Sequence, residues 1–257
     1  MIEVQHLCKA FDDKEVLHDI NAVFPDGQVN LVIGQSGSGK TVLIKNIVGL
    51  LSPTSGSVLY DGRSFHAMPP KERVRMRREM GMIFQSAALF DSLTVLQNVM
   101  FPLDMFSDMP LSDRVRRAQQ CLHRVNLHGV ERKFPEELSG GMQKRVAIAR
   151  AIVLQPKYLF CDEPNSGLDP QTSLVIDQLI ASITHEDGIT TIVNTHDMNS
   201  VMGIGEHITF IWQGHAEWHG SNQRILTDPN PRLQEFIFAS DILRQAKQAY
   251  QQQQRCD

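Results

Sequence analysis

The sequence has little of what marks several common protein classes. Its four cysteines, at positions 8, 121, 161 and 256, include no CxxC pair. This spacing argues against a disulfide framework or a zinc site and favours reduced thiols in a cytosolic compartment. There is no run of about 18 apolar residues, so no membrane-spanning helix is predicted. The opening segment is too polar for a signal peptide, since it reads MIEVQHLCKAF.

The chain also has only a small excess of negative over positive charge. The net charge is −4, so neither a nucleic-acid partner nor attraction to an anionic membrane surface is predicted. The basic stretch at 71–78 is interleaved with Glu72 and followed by Glu79, which favours a solvated helix face over a binding surface. The 257 residues, 42% of them apolar, are typical of a globular protein with one large domain or two modest lobes.

The sequence does contain alternating strand and helix patterns. Apolar residues at a period of two predict strands, and apolar residues at helical spacing predict helices. The predicted strands are 20–24, 29–33, 57–60, 81–85, 158–163, 189–194 and 207–212. The predicted helices are 41–51, 71–80, 111–127, 142–154, one opening at Asp169-Pro170, and one from Pro231 onward. This alternation predicts an α/β fold, a parallel sheet with helices on both faces.

A glycine-rich loop lies between a predicted strand and a predicted helix. Glycines let backbone N–H groups turn toward phosphate oxygens, and the following helix adds its positive N-terminal end. Lys40 is placed to reach the β- and γ-phosphates, and Thr41 to offer its hydroxyl to Mg²⁺. The predicted phosphate-binding residues are Gly34, Gln35, Ser36, Gly37, Ser38, Gly39, Lys40 and Thr41.

An acidic pair follows the apolar strand YLFC. The strand delivers Asp162 and Glu163 to its carboxyl end, where open α/β sheets bind ligands. Asp162 is suited to contact Mg²⁺, and Glu163 to polarise a water toward the γ-phosphate. Alone, an acidic strand end is also a common surface feature, but beside a phosphate loop it indicates catalysis.

A second glycine-rich motif, LSGGM, precedes the acidic strand. Ser139, Gly140 and Gly141 open a predicted helix and could bind another anion, although taken alone they are more typical of a helix cap. One subunit does not need a second phosphate site for its own nucleotide, and the chain contains no internal repeat. The extra motif therefore predicts that two copies of the chain meet across shared ATP.

Together these motifs resemble those of the ATPase subunits of ABC transporters. Further residues match that family in order and spacing. Phe11 falls where the family stacks an aromatic ring on adenine. Gln85 matches the glutamine that senses Mg²⁺ and the attacking water, and His196 matches the histidine that contacts the γ-phosphate. The segment from Ser166 to Asp169 matches the one that crosses the dimer interface.

The resemblance covers residues 2 to about 220 and implies a fold. That fold is the ABC type of P-loop NTPase, with a parallel-sheet core, an N-terminal antiparallel β subdomain and an inserted helical subdomain. The implied division is an ATPase domain at 1–230, containing a helical subdomain at about 86–155, and a C-terminal helical tail at 231–257. The tail either docks on a neighbouring ATPase or covers its own core.

The resemblance also implies a mechanism. Two subunits pack head to tail, and each ATP lies between Gly34–Thr41 of one chain and Ser139–Gly141 of the other. Glu163 acts as the base, while Gln85 and His196 position the water and the γ-phosphate. The implied Mg²⁺ ligands are Thr41, Gln85 and Asp162, and the implied further nucleotide contacts are Phe11 and Asp169.

One position departs from the family pattern. Met142 stands where glutamine is usual after the two glycines. Because the phosphate contacts implied for this motif come from Ser139 and the backbone, we expect hydrolysis to survive the change.

The segment from Gln85 to Leu103 lies where the family docks on a membrane permease. Its portions ALFDSLTV and NVMFPL resemble the ATPases of Mla/Mce-type lipid transporters. This implies a cytoplasmic subunit, peripheral on the inner membrane, that works with a permease and further lipid-transport accessory subunits. Alternatives are an amino-acid importer subunit, a soluble ABC ATPase of DNA repair or translation, and a regulator of envelope or cell-division machinery. Apolar residues of the segment could also simply fill the core: Leu89, Phe90, Leu93 and Val95.

Overall fold

A computed structural model describes residues 1–239 of the chain. Strands and helices alternate as the apolar pattern predicts. The strands are β1 (Ile2–Phe11), β2 (Lys14–Phe24), β3 (Val29–Ile33), β4 (Ser55–Tyr60), β5 (Arg63–Ser64), β6 (Met80–Ile83), β7 (Tyr158–Asp162), β8 (Thr190–Thr195), β9 (His207–Trp212) and β10 (His215–Gly220). The helices are α1 (Lys40–Ile47), α2 (Pro70–Arg78), α3 (Val95–Phe106), α4 (Leu111–Arg124), α5 (Gly140–Ile152), α6 (Pro170–Asp187), α7 (Met198–Ile204), α8 (Asn222–Ile225) and α9 (Pro231–Ile237).

The larger sheet has the strand order β10-β9-β3-β8-β7-β6. All neighbouring strands are parallel except β10, an edge strand antiparallel to β9. Strands β3, β7 and β8 are buried along their whole length, because apolar clusters cover both faces of the sheet. Ile33 pairs with Thr195 and Asp162 with Asn194, so the carboxyl ends of these three strands lie together. The predicted parallel core is confirmed.

The smaller sheet is antiparallel, with the order β2-β1-β4-β5. It is the antiparallel unit expected near the start of the chain. Its buried side chains, among them Leu17 and Phe24, share one apolar core with Val32, Phe160 and Ile192 of the larger sheet. Helix α1 packs into the same core. The two sheets therefore form a continuous packed body.

Helices α3, α4 and α5 follow β6, precede β7 and pack on one another, which confirms an inserted helical unit. Before α3, the loop is held by Asn98, which is fully buried. The Asn98 side-chain oxygen accepts the Phe90 N–H at 2.8 Å, and its amide donates to the Phe90 carbonyl at 3.0 Å. The same amide donates to the carbonyls of Leu93 and Thr94, at 3.0 and 3.1 Å. One side chain thus fixes the path of the loop.

Several boundaries differ from the prediction for local reasons. Helix α1 stops at Ile47 because Gly49, at φ 73°, reverses the chain. Strand β7 stops one residue short of Glu163, whose backbone is left-handed at φ 48°. Helix α3, which contains Pro102, was not predicted, and neither were β1, β5, β10, α7 and α8. The helices predicted at 71–80, 111–127 and 142–154 end earlier, at Arg78, Arg124 and Ile152.

The tail lies partly outside the described residues. Helix α9 has Asn230 as its N-cap, and its Leu233 and Ile237 are buried in the main core. The Phe236 ring centroid lies 5.3 Å from that of Phe210 on β9. Of the two alternatives for the tail, this portion covers the core of its own chain, and the residues from 240 onward lie outside the description. Within residues 1–239, no helix has the length and apolar character needed to cross a membrane.

Replacing Asn98 with leucine tests whether this side chain fixes the loop. Leucine has a similar size but no polar atoms, so the Phe90 N–H and the carbonyls bound by Asn98 would lose their partner. Each buried group left without a hydrogen-bond partner destabilises the fold by about 1–3 kcal/mol. We therefore expect the free energy of unfolding in urea to fall by about 3 kcal/mol. The control is Gln119→Leu on the exposed face of α4, which should change it by less than about 0.5 kcal/mol. Equal losses in both variants would contradict the role of Asn98.

Candidate functional site

The phosphate loop joins β3 to α1 at the carboxyl end of the central sheet. Gly34 passes so close to β9 that a Cβ there would lie 2.2 Å from the Ile211 carbonyl oxygen. At Gly39, φ 107°, a Cβ would lie 2.7 Å from a Leu17 methyl carbon. Both positions therefore exclude a side chain, and the backbone turns tightly into the helix. Helix α1 has no side-chain cap, so its first N–H groups are available to an anion.

Lys40 is buried within this loop. Its Nζ donates to the carbonyls of the two residues that open the loop, at 2.9 and 2.8 Å. Burial lowers the pKa of Lys40, while Glu163 and Asp162 counteract that effect by favouring the charged form. Ser38 Oγ is buried and has no hydrogen-bond partner among the described residues. A cation, an unpartnered hydroxyl and a turn of N–H groups are together suited to phosphate oxygens.

Thr41, Asp162 and Asn194 form a polar group where β7 and β8 end. Thr41 Oγ1 donates to Asp162 Oδ1 at 3.0 Å. Asn194 Nδ2 donates to the same carboxylate oxygen at 2.5 Å and to Thr41 Oγ1 at 3.2 Å. Two residues predicted to bind Mg²⁺ are therefore adjacent, and Asn194 was missed. The sequence signal that could have identified Asn194 was its place at the end of the predicted strand 189–194, two residues before His196.

The Glu163 carboxylate brings together the three residues predicted to be catalytic. Gln85 Nε2 donates to Glu163 Oε2 at 3.2 Å, and His196 Nδ1 lies 3.2 Å from Oε1. Gln85 also donates to Ser166 Oγ at 3.0 Å. The Glu163 N–H donates to the Asn194 carbonyl at 3.0 Å. The left-handed backbone of Glu163 is strained for a non-glycine residue, and these contacts on both sides hold it in place.

Ser139, Gly140 and Gly141 lie at the start of α5, with Ser139 as its N-cap. Ser139 Oγ accepts the Met142 N–H at 3.3 Å and so caps the helix. A Cβ on Gly141 would lie 2.5 Å from Thr172 Cγ2, because α5 packs closely on the start of α6. Among residues 1–239, no hydrogen bond joins these three residues to the loop at 34–41. In the described part of the chain, the two glycine-rich motifs therefore share no hydrogen bond.

The segment from Asn165 to Asp169 is tied to helices at both ends. Asp169 caps α6 by accepting the Thr172 N–H at 2.9 Å, and its hydrogen bond with the Thr172 hydroxyl lowers the pKa of Asp169. The Asn165 amide donates to Asp177 of α6 at 2.8 Å and to Ser200 of α7 at 3.0 Å. Burial raises the pKa of Asp177. Asn165, Asp177 and Ser200 were not predicted, since their link appears only when the helices assemble.

Phe11 ends β1, apart from the hydrogen-bonded groups of the site. Its side chain is 41% exposed, and the Lys9 ammonium lies 4.9 Å from its ring centroid. The chain then returns along β2, whose Leu17 lies beside Gly39 of the phosphate loop. Contact between Phe11 and adenine stays a prediction.

The donor set fits a triphosphate with a hard cation. The Thr41 hydroxyl and the Asp162 carboxylate are the kinds of oxygen ligand that Mg²⁺ takes, and the buried Asn194 Oδ1 beside them has no partner in the described part of the chain. Gln85, the third predicted ligand, is bonded to Glu163 and Ser166 rather than to Thr41 or Asp162.

A groove of about 320 Å³ lies beside the segment that follows Gln85. Its lining includes Phe84, Phe90, Phe101, Phe106, Arg77, Arg78 and Arg150. The Phe90 and Phe101 ring centroids are 4.6 Å apart, and the Arg78 guanidinium lies 5.3 Å from the Phe106 centroid. Of the residues that could have filled the core, Val95 is fully buried and Leu89 packs against the core, whereas Phe90 is exposed.

Known proteins resemble this chain over most of its length. A family model described as "ABC transporter" matches residues 17–166. The probable ribonucleotide transport ATP-binding protein mkl of Mycobacterium leprae is 36% identical over 92% of this chain and 68% of its own length. The intermembrane phospholipid transport system ATP-binding protein MlaF of Escherichia coli is 36% identical over 86% of this chain and 82% of its own.

A solved structure has the same fold. The dimeric structure of MJ0796, a bacterial ABC transporter cassette, matches with a TM-score of 0.79 and 33% identity, covering 86% of this chain and 99% of that chain. A dimeric post-hydrolysis state of MJ0796 bound to ADP and Pi matches with a TM-score of 0.78 and 32% identity, at the same coverage. The chain therefore belongs to the ABC transporter family and carries its ATP-binding, ATP-hydrolysing domain.

Proposed function

We propose that the chain hydrolyses ATP at a site completed by a second copy of itself and drives a membrane permease in phospholipid trafficking. The observation that carries the catalytic part is the meeting of Gln85 and His196 on the Glu163 carboxylate. The chain would act from the cytoplasmic face of the inner membrane, together with accessory lipid-transport subunits.

Binding of the nucleotide is assigned to the loop and its neighbours. Lys40 and the N–H groups of residues 34–39 hold the β- and γ-phosphates. Thr41 and Asp162 would hold Mg²⁺, and the bound ion would withdraw charge from the phosphate oxygens. Phe11 stacks on the adenine from the smaller sheet.

Hydrolysis is assigned to the residues around Glu163. Its carboxylate accepts a proton from the attacking water, since it lies at the sheet edge beside the phosphate loop. Gln85 and His196 hold the water and the γ-phosphate in line, because both already bond to that carboxylate. Within residues 1–239, no other carboxylate has both a glutamine and a histidine as hydrogen-bond partners.

The second copy supplies the extra anion site. Ser139, Gly140 and Gly141 would contact the partner's γ-phosphate, and Asp169 would lie at the interface. Support comes from the separation of this motif from the phosphate loop within one chain and from the dimeric MJ0796 cassette. We further propose the division into an ATPase domain at 1–230, with its helical subdomain at about 86–155, and a tail at 231–257.

The permease would occupy the aromatic groove. The exposed rings of Phe90 and Phe106 offer apolar contact, and Arg77, Arg78 and Arg150 at its border offer positive charge. These features are suited to a short cytoplasmic helix with apolar and acidic side chains.

Phospholipid is the favoured transported compound. Support comes from MlaF, named for phospholipid transport, and from the resemblance of the segment at 85–103 to lipid-transport ATPases. The mkl protein, named for ribonucleotide transport, is a relative at the same identity, so ribonucleotide is the second candidate.

Glu163→Gln tests the catalytic assignment. Glutamine keeps the size of the side chain but cannot accept the proton, so hydrolysis should fall by about 10²–10³-fold while ATP binding remains. An ATP-bound dimer should then appear on gel filtration. The control is Glu72→Gln on the exposed surface of α2, with unchanged turnover. A Glu163→Gln monomer with normal turnover would contradict the role of Glu163.

Paired cysteines test the shared site. In the Glu163→Gln chain, Ser36→Cys in the exposed part of the phosphate loop and Ser139→Cys should be joined between chains by a short bis-maleimide, giving a covalent dimer only with ATP. The control keeps Ser139→Cys and replaces the first change with Ser55→Cys on β4. Equal cross-linking of both pairs, or none with ATP, would count against nucleotide shared between copies.

Groove variants and transport assays test the membrane role. Phe106→Asp should remove co-purification with the permease without changing ATP binding, whereas the exposed Leu226→Asp, outside the groove, should keep the complex. The complex in phosphatidylethanolamine and phosphatidylglycerol vesicles should then move a fluorescent phospholipid with ATP, and Glu163→Gln should stop it. ATP-dependent movement of a labelled ribonucleotide or amino acid instead would overturn the lipid assignment.

A further inference from the structure

Two cations of α5 bind the backbone of the segment from Gln85 to Phe90. Arg150 donates to the Ala88 carbonyl at 2.7 Å through Nη1 and to the Ala87 carbonyl at 2.8 Å through Nη2. Lys144, closer to the start of the helix, donates from Nζ to the Gln85 carbonyl. Within residues 1–239, neither cation has a carboxylate oxygen within 4 Å. Their charges are therefore directed at one short stretch of backbone.

That stretch has an unusual conformation. Ala87 and Ala88 are consecutive left-handed residues, at φ 60° and 48°, and neither is glycine. Left-handed backbone is strained for alanine, so two such residues in succession need contacts that hold them. The guanidinium of Arg150 binds the two carbonyls through separate N–H groups of one planar fork, a fixed geometry that the single nitrogen of a lysine ammonium does not reproduce. Burial lowers the pKa of Arg150, and the two carbonyl oxygens replace the water that it loses.

The same stretch links two surfaces of the protein. At one end, Gln85 bonds to Glu163. At the other, Phe90 faces the aromatic groove, and Ala88 and Arg150 also line it. Arg150 therefore holds the backbone that lies between the groove and Gln85.

We propose that Arg150 is a positioning residue: by holding the carbonyls of Ala87 and Ala88, it keeps Gln85 on Glu163. The proposal rests on the proposed roles of Gln85 and Glu163. It adds a side chain that acts on Gln85 indirectly, through the backbone of Ala87 and Ala88.

Arg145 provides a matched comparison on the same helix. It also donates to a backbone carbonyl, that of Asn126 at 3.0 Å, but at the end of α4 and away from Glu163. A change from arginine to lysine at either position keeps the charge and removes the fork. Only the change at Arg150 should reach the site of hydrolysis.

The first test measures ATP hydrolysis by the full chain. In Arg150→Lys we expect kcat to fall about tenfold with KM for ATP within about twofold, because a misplaced Gln85 affects the chemical step rather than binding. Arg145→Lys should keep the wild-type kcat. An Arg150→Lys chain with wild-type kcat, or with a loss no larger than that of Arg145→Lys, would overturn the proposal.

The second test acts on the loop and leaves α5 intact. Ala88 is exposed, so a larger side chain there meets no core. Ala88→Val adds strain at a left-handed position and should reproduce the fall in kcat, whereas Ala88→Gly removes strain and should restore most of the loss when combined with Arg150→Lys. If Arg150→Lys does not fold, the Ala88→Val and Ala88→Gly pair decides, and equal wild-type turnover in both overturns the proposal.

The results distinguish a wrong role for Arg150 from wrong catalytic roles in the proposed function. If Glu163→Gln hydrolyses ATP normally, the catalytic roles themselves are wrong. If Glu163→Gln is inactive while Arg150→Lys and Ala88→Val keep wild-type kcat, only the role of Arg150 is wrong.

Discussion

The parallel register of β3, β8 and β7 is the constraint on which the rest of the structure depends. It brings the ends of three neighbouring strands to one edge, so that the phosphate loop, the acidic pair and His196 meet although they are far apart in the chain. The hydrogen bonds among Thr41, Asp162 and Asn194 lie directly across that edge. A shift of one residue in any of the three strands would turn these polar groups into the apolar layers on either side.

Much of this arrangement was predictable from the sequence, because it follows from local pattern. Period-two and helical spacing gave the α/β fold, and the carboxyl-end rule placed the acidic pair beside the loop. Other features were not, because their causes are distant in the chain. Asn194 and Asn165 look like ordinary polar residues until the strands and helices assemble, and Pro102 concealed a helix held by tertiary packing. The left-handed backbone of Ala87 and Ala88 has no local signal, since alanine does not favour it.

Helix α5 connects parts of the molecule that the motifs treat separately. It begins at Ser139, packs on the start of α6 through Gly141, and holds the segment after β6 through Lys144 and Arg150. One helix thus carries the motif at Ser139–Gly141, contacts the start of α6 and borders the groove. The proposed contact of Ser139 with a partner's nucleotide and the proposed positioning role of Arg150 both involve residues of this helix.

The apolar core that the two sheets share has its own consequence for nucleotide recognition. The hairpin that carries Phe11 and the loop that carries Lys40 belong to one packed body, so the core fixes the distance between them. Under the proposed contacts of adenine with Phe11 and of the phosphates with the loop, this core would set the length of nucleotide that fits. Loss of the terminal phosphate would then change the contacts around Glu163 alone, while the base and the remaining phosphates would keep their places.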